Sequence, residues 1–304
     1  MLTSFLREFL RPINFASTSR IYAVAYCSIL ALLYVGSLYV NKSPFPRDHP
    51  VTVWKRFKGV IFVSLVAPVL AFLWGKDADE SLQNSSYTIF HWLGMHTDGI
   101  LIASLLPMAL TMILFLGPIM QLILETLEEE EVTHSSLVSL KTRIARSLHD
   151  IIWWRNYIVA PFTEEFVFRA CMLPFLVPAF GCRASVILCP LFFGIAHVHH
   201  AVEGLRMGMT LGSVIIRSVF QMGYTTIFGA YSAFLFLRTG HLAGPVLCHT
   251  FCNFMGFPEF DRIPHSLYPK TIATTFLFGL LGFYLLLFPL TDPVYFSSIY
   301  WDQR

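Results

Sequence analysis

Eight apolar runs punctuate this chain, at residues 21–40, 58–75, 98–124, 154–180, 183–198, 211–237, 241–257 and 270–290. A helix that crosses a bilayer needs about 20 predominantly apolar residues, and in lipid every backbone polar group must be satisfied within the protein. The expected fold class is therefore all-α, a polytopic membrane bundle of about eight transmembrane helices around a cavity. Seven is the alternative count, because the runs between 154 and 257 nearly touch. No small-residue cleavage site follows the first run, which reads as a retained anchor and not a signal peptide. Several runs are short or interrupted by Pro and Gly, as helices lining a cavity can be. The chain divides on this reading into N-terminal transmembrane helices with an amphipathic connector (1–150), a core rich in buried polar groups (151–260) and a C-terminal helix with a tail (261–304).

Composition agrees. Of 304 residues, 55% are hydrophobic and 13% charged, which places the chain in the membrane class. The net charge of +2 is small and scattered, so no nucleic-acid partner is expected. Cys27, Cys171, Cys182, Cys189, Cys248 and Cys252 lie in or beside apolar runs, where thiols behave as small hydrophobes. No disulfide framework is expected.

Two polar segments precede the core. Glu125 and Glu128 to Glu131 form an acidic run; then Leu137, Leu140, Ile144, Leu148 and Ile151 recur three or four apart, with Lys141, Arg143 and Arg146 on other faces. That pattern predicts an amphipathic helix, either lying in the membrane interface or simply connecting two crossings. Lys42, Arg47, Lys55, Arg56 and Lys58 crowd the 41–58 loop, against Arg7, Arg11 and Arg20 before the first run. The excess favours a cytosolic loop and a lumenal N-terminus. The 137–152 helix and the 199–210 loop with Arg206 then also face the cytosol. Of the sequons at Asn41 and Asn84, only Asn84 is lumenal on this reading.

Ionisable groups at bilayer depth cost about 2.5–3.5 kcal/mol each on insertion scales, so each needs a partner or a task. The stretch 160–170 reads Ala-Pro-Phe-Thr-Glu-Glu-Phe-Val-Phe-Arg-Ala. Glu165 and Arg169 stand four apart in the favourable order for an ion pair. Glu164 is turned about 100° away, free to act as a general base in a wet cavity. The alternative is that both glutamates share Arg169 as a purely structural charge cluster. His197 closes the run Phe193-Gly-Ile-Ala-His197 and is followed by His199 and His200, with Glu203 nearby. Such a cluster admits zinc, but no His-Glu-x-x-His motif is present. His249 and Asn253, four apart, offer two donors to one spot, as an oxyanion hole requires, or else clamp two helices. No Ser or Cys nucleophile is tied to this set. Its chemistry is direct activation of water for amide hydrolysis. Arg217, in the sixth run, is assigned only a pairing role.

The ordered set Glu164-Glu165-x-x-x-Arg169, Phe193-x-x-x-His197 and His249-x-x-x-Asn253 resembles the type II CAAX prenyl endopeptidases, within a wider superfamily of intramembrane glutamate proteases and bacterial self-immunity proteins. The flanks Arg155-Asn156, Ala160-Pro161 and the run from Cys248 to Pro258 look similar too. The resemblance is specific over about 150–260. It implies eight helices around a cavity open to the cytosol, in the endoplasmic reticulum membrane. It implies that Glu164 and His197 activate water, that His249 and Asn253 form the oxyanion hole, and that Glu165 and Arg169 support them. The implied substrates are farnesylated or geranylgeranylated CAAX proteins such as Ras-type GTPases, cut after the prenylated cysteine to release three residues. No metal or other cofactor is implied, and membrane lipid is an expected partner.

Two other classes compete. One is a non-catalytic scaffold of the same superfamily. The other is a proton-coupled transporter, since intramembrane Glu, His and Arg also build relays. No internal repeat supports transport, and a relay has no need of the His249/Asn253 donor pair.

Overall fold

The computed structural model describes residues 9–77, 87–133 and 147–301. The helices are α1 (Arg20–Val40), α2 (Pro50–Trp74), α3 (Ile89–Trp92), α4 (Ile100–Leu114), α5 (Leu116–Thr133), α6 (Ile151–Trp154), α7 (Ala160–Glu165), α8 (Leu173–Phe180), α9 (Cys182–Ala196), α10 (His199–Arg206), α11 (Leu211–Thr239), α12 (Ala243–Met255) and α13 (Pro269–Leu286). Among the described residues the only strands are Ile13–Asn14 and Lys76–Asp77, paired antiparallel. This pairing joins the start of α1 to the end of α2, so the two helices run antiparallel and the 41–49 loop lies at the far end.

The expected all-α membrane bundle is what the chain forms. Arg20–Val40, Pro50–Trp74, Cys182–Arg206 and Pro269–Leu286 are long and apolar enough to cross a membrane; the pair Ile100–Leu114 and Leu116–Leu127, bent by 71°, makes a fifth if it is one span. Of the other apolar runs, that at 211–237 lies in the unbroken 29-residue α11, which is not among these spans, and those at 154–180 and 241–257 are broken or short, so length and composition do not yield a count of eight. The run at 154–180 is broken by π-helical turns at Arg155–Val159 and Phe166–Ala170. The 13 residues of α12 reach only about 20 Å, short of the roughly 30 Å hydrocarbon layer. Where a loop was expected over 41–58, α2 already starts at Pro50. His49 caps it, its Nδ1 accepting from the Val51 N–H at 3.2 Å, and Pro50 occupies the first turn, where a missing N–H costs nothing. Lys55, Arg56 and Lys58 are therefore helical. Most of the expected amphipathic helix at 137–152, and Asn84, lie outside the described residues.

The centre of the bundle is the chain from Glu165 to Val177, buried at every position. A helix apolar on all sides belongs in such a place, and α1, α9 and α11 enclose it. The outer face is apolar as well. Leu277, Leu281 and Leu285 on α13 and Ile187, Leu191 and Ile195 on α9 are exposed at helical spacing, surface that lipid solvates and water would not.

Candidate active site

Glu165 sits at the middle of this core and is wholly buried, as is Arg169 one turn on. Their carboxylate and guanidinium meet at 3.1 Å, the pair expected from the spacing. Arg169 also lies over the Phe193 ring, 4.3 Å from its centroid, which suits a weakly hydrated planar cation away from water. Room for it is made by Gly229 on α11. A Cβ there would stand 2.9 Å from Arg169 Nη2 and 2.7 Å from Pro190 Cβ. Glu165 Oε1 accepts a 2.8 Å hydrogen bond from His249 Nδ1, and Oε2 accepts one from the Ser232 hydroxyl. A buried carboxylate is tolerable when it is paired and hydrogen-bonded in this way.

Glu164 turns the other way. It is not the one in ion-pair contact with Arg169, and its side chain, 20% exposed, faces a cavity of about 1570 Å³. The expected angular separation of the two glutamates is thus realised, one in the core and one on the cavity. His249 lies between them. Its Nε2 is 3.8 Å from Glu164 Oε2, an electrostatic contact too long for a direct hydrogen bond. Because Nδ1 donates to a carboxylate, Nε2 carries a hydrogen only when the ring is an imidazolium.

His197 and Asn253 line the same cavity as Glu164 and His249. His197 Nδ1 is 2.8 Å from the Phe193 carbonyl. A carbonyl can only accept, so Nδ1 holds the hydrogen and Nε2 of the neutral ring is left as an acceptor. The Phe193 ring joins the two histidines, with centroids 4.6 Å from His197 and 6.4 Å from His249. Asn253 donates one Nδ2 hydrogen to the Asn156 carbonyl at 2.9 Å, which fixes its amide orientation and leaves a second hydrogen. Asn156 belongs to the first π turn. Such turns widen a helix locally and recur at functional sites; here one stands on each side of the Glu164-Glu165 pair.

Several contributors carry no sequence signal that would single them out. Ser232 lies in an apolar helix. Tyr34, on α1, hydrogen-bonds Thr163 at 2.9 Å and lines the cavity beside Glu164. Arg217 differs from expectation: it lines the cavity and has no pairing partner among the described residues. Arg217 is exposed on the cavity wall, where a cation has no need of the neutralising partner that burial in lipid would demand.

His199, His200 and Glu203 offer ligand atoms within 4.8 Å of one another. Glu203 is already engaged, accepting from Arg56 at 2.6 Å and Tyr39 at 3.2 Å and contacting His200 Nδ1 at 3.2 Å. A divalent ion there would sit against the Arg56 guanidinium, an arrangement that Coulomb repulsion opposes.

A family model described as type II CAAX prenyl endopeptidase Rce1-like matches residues 148–255, the segment that holds Glu164, Glu165, Arg169, His197, His249 and Asn253. Across nearly the full length the chain is similar to curated proteins named CAAX prenyl protease 2. It is 46% identical to that of Homo sapiens over 91% of this chain and 83% of the relative, and 32% identical to that of Arabidopsis thaliana over 93% of each. The Saccharomyces cerevisiae relative is 35% identical over 77% of this chain and 79% of its own length. No solved structure matches. With a buried Glu165–Arg169–His249 core, a second glutamate on the cavity and full-length similarity of this kind, the chain belongs to the type II CAAX prenyl endopeptidases.

Proposed function

We propose that the protein is a protease of the endoplasmic reticulum membrane that removes the last three residues from farnesylated or geranylgeranylated CAAX proteins, including Ras-type GTPases, by direct attack of water. The observation that carries this reading is the placement of Glu164, His197 Nε2, His249 Nε2 and Asn253 on one cavity lined largely by apolar side chains. Glu164 accepts the proton of the attacking water, with His197 Nε2 as its second acceptor. The developing oxyanion takes hydrogen bonds from the free Asn253 amide hydrogen and from His249 Nε2–H. Glu165, itself paired with Arg169, supports this by accepting from Nδ1 of His249, so that ring orientation is set before substrate arrives. The released amine takes back the proton that Glu164 or His197 received.

The basic loop supports a cytosolic opening. Arg47, at the 41–49 turn, lines the cavity together with Arg56, Arg155 and His200. The cavity mouth and the excess positive charge share one end of the bundle, the placement the positive-inside rule favours for a cytosolic face. The prenyl chain stays among apolar walls or lipid while the peptide meets water.

The test is cleavage by the purified full-length protein of a farnesylated CAAX peptide, with the unprenylated peptide as comparison and EDTA in parallel. Release of the tripeptide only from the prenylated peptide, unaffected by EDTA, is expected. Chelator inactivation restored by zinc would overturn the metal-free mechanism. Asn253→Ala is expected to lower kcat by about 10²- to 10³-fold with little change in KM, as loss of one oxyanion donor does. An equal effect confined to KM would remove Asn253 from that role.

A further inference from the structure

Among the described residues four guanidinium groups line the cavity, those of Arg47, Arg56, Arg155 and Arg217. Two are neutralised. Arg56 holds Glu203 and Arg155 holds Asp48, each at 2.6 Å. Among the described residues Arg47 and Arg217 have no ion-pair partner. Two unpaired cations on a cavity otherwise rich in apolar side chains mark where an anionic group of the substrate can be received.

Their positions along the chain separate them. Asp48, next to Arg47, is tied to Arg155, and Arg155 precedes Glu164 by nine residues of one helical run, about 13 Å along its axis. Arg217, on α11, has no such tie to the helix that carries Glu164: among the described residues it makes no ion pair. A three-residue extended tail spans about 10 Å from the cut bond to its terminal carboxylate. With the length of an arginine side chain added, that reach covers the roughly 13 Å from Glu164 to Arg155, to which the loop that carries Arg47 is tied.

We infer that Arg47 captures the terminal carboxylate of the peptide substrate, and so sets the register that places the bond after the prenylated cysteine at Glu164; this rests on the peptidase reading above. The ion pair between Asp48 and Arg155 is what gives the role precision. It pins the loop that carries Arg47 to the helix that carries Glu164, so the distance between anchor and catalytic carboxylate is fixed. Arg155 itself, already paired, is left with little capacity for a second anion.

The experiment compares a farnesylated CAAX peptide ending in a free carboxylate with the same peptide ending in an amide, using the full chain in detergent or nanodiscs. The wild type is expected to favour the carboxylate by about tenfold or more in kcat/KM, chiefly through KM. Arg47→Gln should cut kcat/KM for the carboxylate peptide by a similar factor and bring the two peptides level. Arg47→Lys should retain part of the preference, and Arg217→Gln all of it. Equal wild-type cleavage of both peptides would overturn the inference while upholding the peptidase reading. So would an Arg47→Gln loss that is the same for both, the result expected if Arg47 binds a lipid phosphate. Cleavage of neither peptide by the wild type would overturn the reading on which the inference rests.

Discussion

Glu164→Gln is expected to lower kcat for prenylated-peptide cleavage by about 10²- to 10⁴-fold, the range for loss of a general base, while the protein keeps its thermal midpoint. Glutamine preserves size and hydrogen-bonding capacity but cannot accept the proton of water. Stability should hold because Glu164 faces the cavity and is not in contact with Arg169. The informative comparison is Glu165→Gln. That side chain is wholly buried and holds Arg169, His249 and Ser232 together. Its loss should reduce activity and stability at once. Near-normal turnover by folded Glu164→Gln protein would remove Glu164 from the mechanism. If Glu165→Gln alone lost turnover at unchanged stability, the two glutamates would have to exchange roles.

Arg169→Met should destabilise the protein by about 3–5 kcal/mol, read as a lowered unfolding midpoint in detergent, because it strands a buried carboxylate without its cation. The double replacement Glu165→Gln with Arg169→Met should recover much of that loss, since two neutral groups of similar volume carry no uncompensated charge. Activity should not recover with it. Glutamine at 165 can still accept from His249 Nδ1, but its neutral carbonyl makes a weaker bond than the carboxylate and holds the ring less firmly. Recovery of stability and turnover together would show that Glu165 and Arg169 only hold the bundle together. Additive losses in the double variant would show that the two side chains do not act as a pair.

Much of this site is legible in the sequence because its central spacings are helical and local. Glu165 and Arg169 are one turn apart, and the 3.1 Å ion pair follows from that spacing almost regardless of the rest of the fold. The turn between Glu164 and Glu165 likewise sends one carboxylate inward and leaves the other for the cavity. His249 and Asn253 do reach the same cavity, as their interval of four predicts. Their partners were not legible. His249 meets Glu165 across 84 residues and Asn253 meets Asn156 across 97, and nothing in a local pattern announces which carboxylate or carbonyl will stand opposite. Ser232 is the extreme case, a hydroxyl in an apolar helix whose importance comes only from where α11 is packed.

Hydropathy has the same strength and the same limit. It identifies which stretches leave water, because transfer free energy is a sum over residues in a window. It does not say whether such a stretch crosses the bilayer unbroken. The π turns around the glutamate pair, the 71° bend after Leu114 and the shortness of α12 arise where helices are packed against other helices and freed backbone groups find partners there. The chain's order of residues was enough for the membrane class, the buried ion pair and the four groups proposed for catalysis. What holds His249, what fixes the Asn253 amide, and which two of the four cavity arginines are left without an ion-pair partner depend on long-range packing, because contacts between distant segments are fixed by the shape of the whole bundle and leave no period in the sequence.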